Sequence, residues 1–133
     1  MNQKIDKLAW LHIENRKVLC ARSIGKSTFY IPGGKRDLGE SDEEALVREI
    51  KEELTVDLDT TTLSFFGALE AQADGKPEGT MVKISCYQAK YTGTLAPDSE
   101  IEELSWLGFS DISKCSLVVQ KLFEQLHKQN FIS

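Results

Sequence analysis

Glu49, Glu52 and Glu53 fall together in the run ALVREIKEEL. On a helix at about 100° per residue, Glu49 and Glu53 project one turn apart and Glu52 lies on the flank of the same face. Like charges at this spacing destabilise an isolated helix by about 0.2–0.5 kcal/mol per pair, so their collection asks for a counter-charge. A hard divalent cation, Mg²⁺ or Mn²⁺, takes carboxylate oxygens and keeps water and substrate phosphates in its remaining positions. The plain alternative is a solvated acidic face, with Arg48 paired to Glu52 at i+4 and Lys51 diluting the charge.

The helix that would position these groups has a marked start. Ser41 stands three residues before Glu44, a capping-box pair, so the helix is predicted to begin near Asp42. Leu46, Ile50 and Leu54, with Val47 beside them, make one apolar stripe to bury against a sheet. Upstream, Pro32-Gly33-Gly34-Lys35 is a turn at which the backbone can come close to a ligand.

From Gly34 to Val56 the chain resembles the Nudix box. That motif is a glycine, five residues, Glu, seven residues, then Arg-Glu-aliphatic-any-Glu-Glu-any-Gly-aliphatic. Gly34, Glu40, Arg48, Glu49, Ile50, Glu52, Glu53 and Val56 stand in register, and Thr55 replaces the second glycine. Glycine there would end the helix in the left-handed conformation, which costs a residue with a Cβ about 1–2 kcal/mol. The resemblance implies an α+β fold, an α/β/α sandwich with a mixed β-sheet between helices. It also implies a Mg²⁺-dependent hydrolase (Mn²⁺ as substitute) that splits a nucleoside diphosphate linked to X. Within the family, the short chain resembles the MutT-like branch, which implies a (d)NTP cut to the monophosphate and pyrophosphate. An ADP-ribose or nucleotide-sugar pyrophosphatase stays open, as does a catalytically silent nucleotide sensor, against which the intact glutamates count.

Site residues follow from the same resemblance. Glu49 and Glu53 are the first metal ligands and Glu52 the next, with one of these glutamates acting as general base. The Gly33 carbonyl is a further metal ligand, and Glu100, six residues before Trp106, a further metal-binding glutamate. Lys35 is expected to reach a phosphate, and Arg22, closing its strand, to face the substrate phosphates. Gly34, Glu40 and Arg48 take structural roles, Glu40 pairing with Arg48 and Arg48 orienting the other glutamates.

The 133 residues are expected to form one domain, 1–133. Apolar content of 41% and charged content of 28% are ordinary for a globular chain. No apolar run approaches a membrane span, and residues 1–6 do not read as a signal peptide, so a cytoplasmic location is expected. A net charge of −5 without a basic block argues against wide contact with nucleic acid and favours a small-molecule nucleotide partner, the protein itself being a monomer or homodimer. Cys20, Cys86 and Cys115, odd in number and set among apolar residues, are expected to be buried reduced thiols. His12 and His127 receive no role.

Along the chain, alternation predicts strands at Leu8–Ile13 and Val18–Ala21, joined by a polar turn. A hairpin is predicted from Leu63–Ala71 and Met81–Ala89, with Phe65-Phe66 pointing either to burial on both faces or to a bulge. Tyr91–Asp98 is expected to be a loop and Leu104–Leu107 a short strand with Trp106 packed inward. An amphipathic helix is predicted over Ser113–Asn130. The pocket is expected to be lined by the N-terminal strand, the Ser23–Phe29 loop, Met81, Lys83 and the start of the last helix.

Overall fold

The computed structural model describes residues 4–133. The signal-peptide reading of residues 1–6 therefore falls partly on residues outside the described ones. Four strands, β1 (Lys4–Trp10), β5 (Gly33–Lys35), β7 (Ser64–Gln72) and β8 (Met81–Gln88), form a sheet in the order β5-β1-β8-β7. β1 and β8 run parallel while the outer pairs are antiparallel, so the sheet is mixed. A second sheet has the order β10-β3-β2, from β10 (Ile101–Leu107), β3 (Lys17–Ser23) and β2 (Ile13–Glu14), with β4 (Phe29–Tyr30) also paired to β3. β6 (Asp57–Leu58) and β9 (Tyr91–Thr92) make a small ribbon.

Helix α1 (Asp42–Leu54) and helix α2 (Leu117–Lys128) each bury an apolar face. Alternation along β1 divides its side chains between two cores. Leu8 and Trp10 pack with Leu46, Ile50 and Leu54 of α1, whereas Ala9 packs in the cluster that holds Val119, Leu122 and Phe123 of α2. The helices thus cover different cores, the sandwich expected. Ser41 accepts the Glu44 amide at 3.1 Å while Glu44 accepts the Ser41 amide at 3.0 Å, completing the capping box. At the other end Thr55 adopts φ 63°, ψ 19°, the left-handed conformation a glycine would take at less cost. Its amide bonds to the Lys51 carbonyl and its hydroxyl to the Thr94 carbonyl at 3.0 Å, contacts that offset the strain.

Several boundaries differ from the sequence expectations. The strand expected over Leu8–Ile13 is split: β1 ends at Trp10, and Leu11 and His12 carry the chain into the second sheet, where β2 begins. Tyr91–Asp98 is not all loop, since Tyr91 and Thr92 pair with β6. The last strand starts at Ile101 instead of the expected Leu104, so Glu102 and Glu103 belong to it. Trp106 is not packed inward. It is 37% exposed on the edge strand β10, with the His12 ring 5.7 Å away. The last helix starts at Leu117 because Ser116 is extended, and a short 3-10 helix, Phe109–Lys114, precedes it. The β7–β8 register slips between Phe65 and Gly67, so of the two readings of Phe65-Phe66 the bulge is the one observed. All three cysteines are buried free thiols, and among the described residues no helix is long and apolar enough to cross a membrane.

Candidate active site

Strand β5 lies between β1 and the carboxylate face of α1, an approach only glycines permit. A Cβ on Gly33, whose φ is 147°, would sit 2.0 Å from the Leu8 carbonyl oxygen, and one on Gly34 would sit 2.6 Å from the Glu49 carboxylate. The Gly33 amide donates to Glu53 Oε1 at 3.0 Å. Arg48 organises the neighbouring charges: Nε and Nη2 donate to both oxygens of Glu40 at 2.7 and 2.8 Å, and Nη1 donates to Glu49 at 2.9 Å. Nη2 also reaches the Lys35 carbonyl at 3.1 Å, tying β5 to the helix. The guanidinium holds Glu40 down at about 2. Burial acts the other way on Glu53, pushing it up to about 7 against the Gly33 amide, and it raises Glu49 against Arg48.

Among the described residues no three His, Cys, Asp or Glu side chains form a metal-binding group. Glu49 is turned to Arg48, Glu53 to the Gly33 amide, and Glu52 is 52% exposed against 17% for Glu49. Their chemistry nevertheless fits a hard divalent cation. Glu49 and Glu53 are oxygen donors one turn apart, and both are raised, first by desolvation and then by neighbouring carboxylates, Glu52 and Asp37 acting on Glu49 and Glu49 and Glu52 acting on Glu53, a penalty that a cation offsets. The loop bearing Glu100 is tied to the last turn of α1. The Asp98 amide donates to the Glu53 carbonyl at 2.9 Å and the Ser99 hydroxyl to the Glu52 carbonyl at 3.1 Å, while Glu100 itself is exposed.

A cavity of about 340 Å³ opens beside Gly33, Gly34 and Glu53. Its walls are apolar, from Ile5, Val82, Ile84 and Val118, and three lysines line it: Lys7, Lys26 and Lys76. Lys7 is registered directly opposite Lys35 across the β1–β5 pair, an unfavourable meeting of like charges. Burial, then the Lys35 charge, lowers the Lys7 pKa, with Glu53 and Glu49 opposing. Three lysines against the two carboxylates Glu53 and Asp74 on the same lining, in a chain of net charge −5, offer cations to an anionic ligand.

Arg22 does not line this cavity. Its guanidinium bonds to Glu103 at 3.0 Å, Glu102 at 3.0 Å and the Lys26 carbonyl at 2.8 Å, along a separate groove. Lys35 is exposed outside the cavity wall, its charge close enough to depress that of Lys7. Of the expected pocket residues, Met81 and Lys83 are replaced by Val82 and Ile84, because the register of Lys7 with Ile84 turns those residues to the cavity. Ser116 falls at the start of the last helix, which was expected to line the pocket. Lys7 and Asp74 were not foreseen as site residues. Lys7 shares its strand face with Ile5 and Ala9, which was a usable signal. Asp74 carried none, since it resembles any turn residue.

The family model of the NUDIX domain matches residues 8–129. No curated protein matches this sequence. Among solved structures, the MutT protein from Methanosarcina mazei superposes with a TM-score of 0.76 at 19% identity, covering 97% of this chain and 96% of its own. The MutT NUDIX hydrolase from Burkholderia pseudomallei gives 0.73 at 20% identity, over 93% and 98% of the two chains. The dihydroneopterin triphosphate pyrophosphohydrolase of E. coli gives 0.68 at 17% identity, over 94% and 96%. At these identities the likeness is one of fold.

Proposed function

The chain belongs to the NUDIX hydrolase family, and from that premise we propose that it hydrolyses a nucleoside triphosphate to the monophosphate and pyrophosphate. The observation that carries this reading is the joining of Glu53, the Gly33-Gly34 backbone and lysines to an apolar cavity. Phosphates find cations there and a flat base finds hydrocarbon walls.

Lys7 and Lys26 bind phosphate oxygens from the cavity wall, and Lys35 adds its field from the rim. Glu49, Glu53 and then Glu52 hold the divalent cation, Mg²⁺ or Mn²⁺, with the Gly33 carbonyl and Glu100 as further donors. When bound, such an ion supplies Lewis acidity to the diphosphate and makes water a better nucleophile. One glutamate of the three takes a proton from the attacking water, whose oxygen bonds to phosphorus as the anhydride P–O bond breaks and pyrophosphate leaves. Arg48 keeps Glu49 aimed by holding it together with Glu40.

The test is a panel of (d)NTPs, 8-oxo-dGTP, ADP-ribose and nucleotide sugars with Mg²⁺, products separated by ion exchange and Glu53→Gln as control. Monophosphate plus pyrophosphate, absent in the control, is the expected result. Cleavage of only ADP-ribose or sugar nucleotides would overturn the substrate class, and binding without turnover would establish a sensor instead.

A further inference from the structure

Ser116 immediately precedes α2, where a serine hydroxyl ordinarily accepts a bond from an amide of the first turn. Ser41 does so for α1. Ser116 makes no such bond, and the Leu117 amide is capped instead by Asp74 Oδ1 at 3.2 Å. The Ser116 backbone is held firmly, its amide on the Phe29 carbonyl at 3.1 Å and its carbonyl accepting the Gln120 amide at 2.8 Å. Ser116, only 3% exposed, lines the cavity, and among the described residues its hydroxyl is the one buried side-chain polar atom without a hydrogen-bond partner. A buried hydroxyl left unpaired is costly, and a molecule entering the cavity can remove that cost.

We propose that Ser116 and Asp74 read the edge of the substrate's base, and that the preferred base presents an exocyclic amino group there. The inference rests on the cavity being the nucleotide site. Ile5, Val82, Ile84 and Val118 give a flat ring its hydrocarbon walls. Asp74, on the same cavity wall, is acceptor-only when ionised and retains lone pairs beyond the one given to Leu117. The serine hydroxyl can accept or donate. An amino group on the base edge is therefore matched, whereas a carbonyl in its place sets its lone pairs against the Asp74 carboxylate.

The experiment compares GTP with ITP and CTP with UTP, pairs in which an amino group is absent or replaced by a carbonyl, on wild type, Ser116→Ala and Asp74→Asn. Both kcat/KM and calorimetric Kd for the corresponding monophosphates are measured. Wild type is expected to prefer the amino-bearing member of at least one pair, and Ser116→Ala to reduce that preference about tenfold, the size of one lost directional bond. Asp74→Asn keeps an oxygen for the Leu117 amide but adds an N–H donor, so it shifts the preference toward the carbonyl-bearing member. Without ligand, Ser116→Ala should melt no lower than wild type, since it removes an unpaired group. Unchanged preferences in both variants, or a wild type favouring ITP and UTP, would overturn the inference while leaving the hydrolase reading intact. Should no triphosphate be cleaved, the hydrolase reading fails alone, and the monophosphate affinities still decide whether Ser116 and Asp74 select the base.

Discussion

Arg22 and Lys7 are cations on different sheets, and the protein treats them in contrasting ways. Arg22 on β3 is met by Glu102 and Glu103 and by the Lys26 carbonyl, in an open groove where its charge is matched. Lys7 on β1 is desolvated and faces Lys35, and the carboxylates nearest it in effect, Glu53 and Glu49, are themselves pushed toward protonation. A satisfied cluster of exposed ion pairs contributes about 0–1 kcal/mol each and asks nothing of a ligand. A cluster in which both signs are partly desolvated and incompletely paired is completed by charges that arrive with a substrate and its cation. Incomplete pairing distinguishes the reacting region here, more than the number of charges.

The contrast is open to attack at both ends. The largest effect is expected for Glu53→Gln: turnover falls by orders of magnitude, while denaturant unfolding stays cooperative with a midpoint no lower than wild type, because a desolvated carboxylate has been removed. Loss of cooperative unfolding would show that Glu53 supports the fold. Lys7→Met is expected to raise KM about tenfold and to stabilise the ligand-free protein slightly by relieving the Lys7–Lys35 opposition. An unchanged KM would place the phosphates elsewhere.

A smaller, pH-dependent effect belongs to Glu40. Its folded value of about 2 lies below the ordinary value near 4.3. Its contribution is therefore present above the unfolded value and lost as pH falls from about 4.3 through about 2. Denaturant midpoints stepped through that acid range should fall less steeply in Glu40→Gln than in wild type. The smallest effect is expected for Arg22→Ala, with the denaturant midpoint close to that of wild type and kcat/KM unchanged. A clear loss of activity would move Arg22 into the site and dissolve the contrast.

Helix α1 was legible in the sequence because its signals are local. The Ser41–Glu44 capping box, the Leu46, Ile50, Leu54 stripe and the glutamate spacing all lie within a few turns, and the structure places them in one element. The surroundings of Arg22 were not legible because its partners, Glu102 and Glu103, lie 80 and 81 residues away in sequence and meet it only through the β3–β10 pairing. Lys7 depends likewise on which residues β5 and β8 bring alongside. The role of Ser116 turns on a missing bond, which no spacing pattern records. Trp106 was assigned to the interior from its type, whereas its place on an edge strand decided its exposure.

The register of β1 also bears on the order in which the molecule can assemble. On one side β1 pairs with nearby β5, Lys7 against Lys35, and on the other with β8, Lys7 against Ile84, far along the chain. Closing a long loop before its contacts form is slow, and parallel pairing requires it here. During synthesis β1 emerges well before β8 and keeps one edge open until that strand arrives. A nascent chain thus holds its glutamate helix before it has a cavity for a substrate, and that open edge is where misassembly would begin.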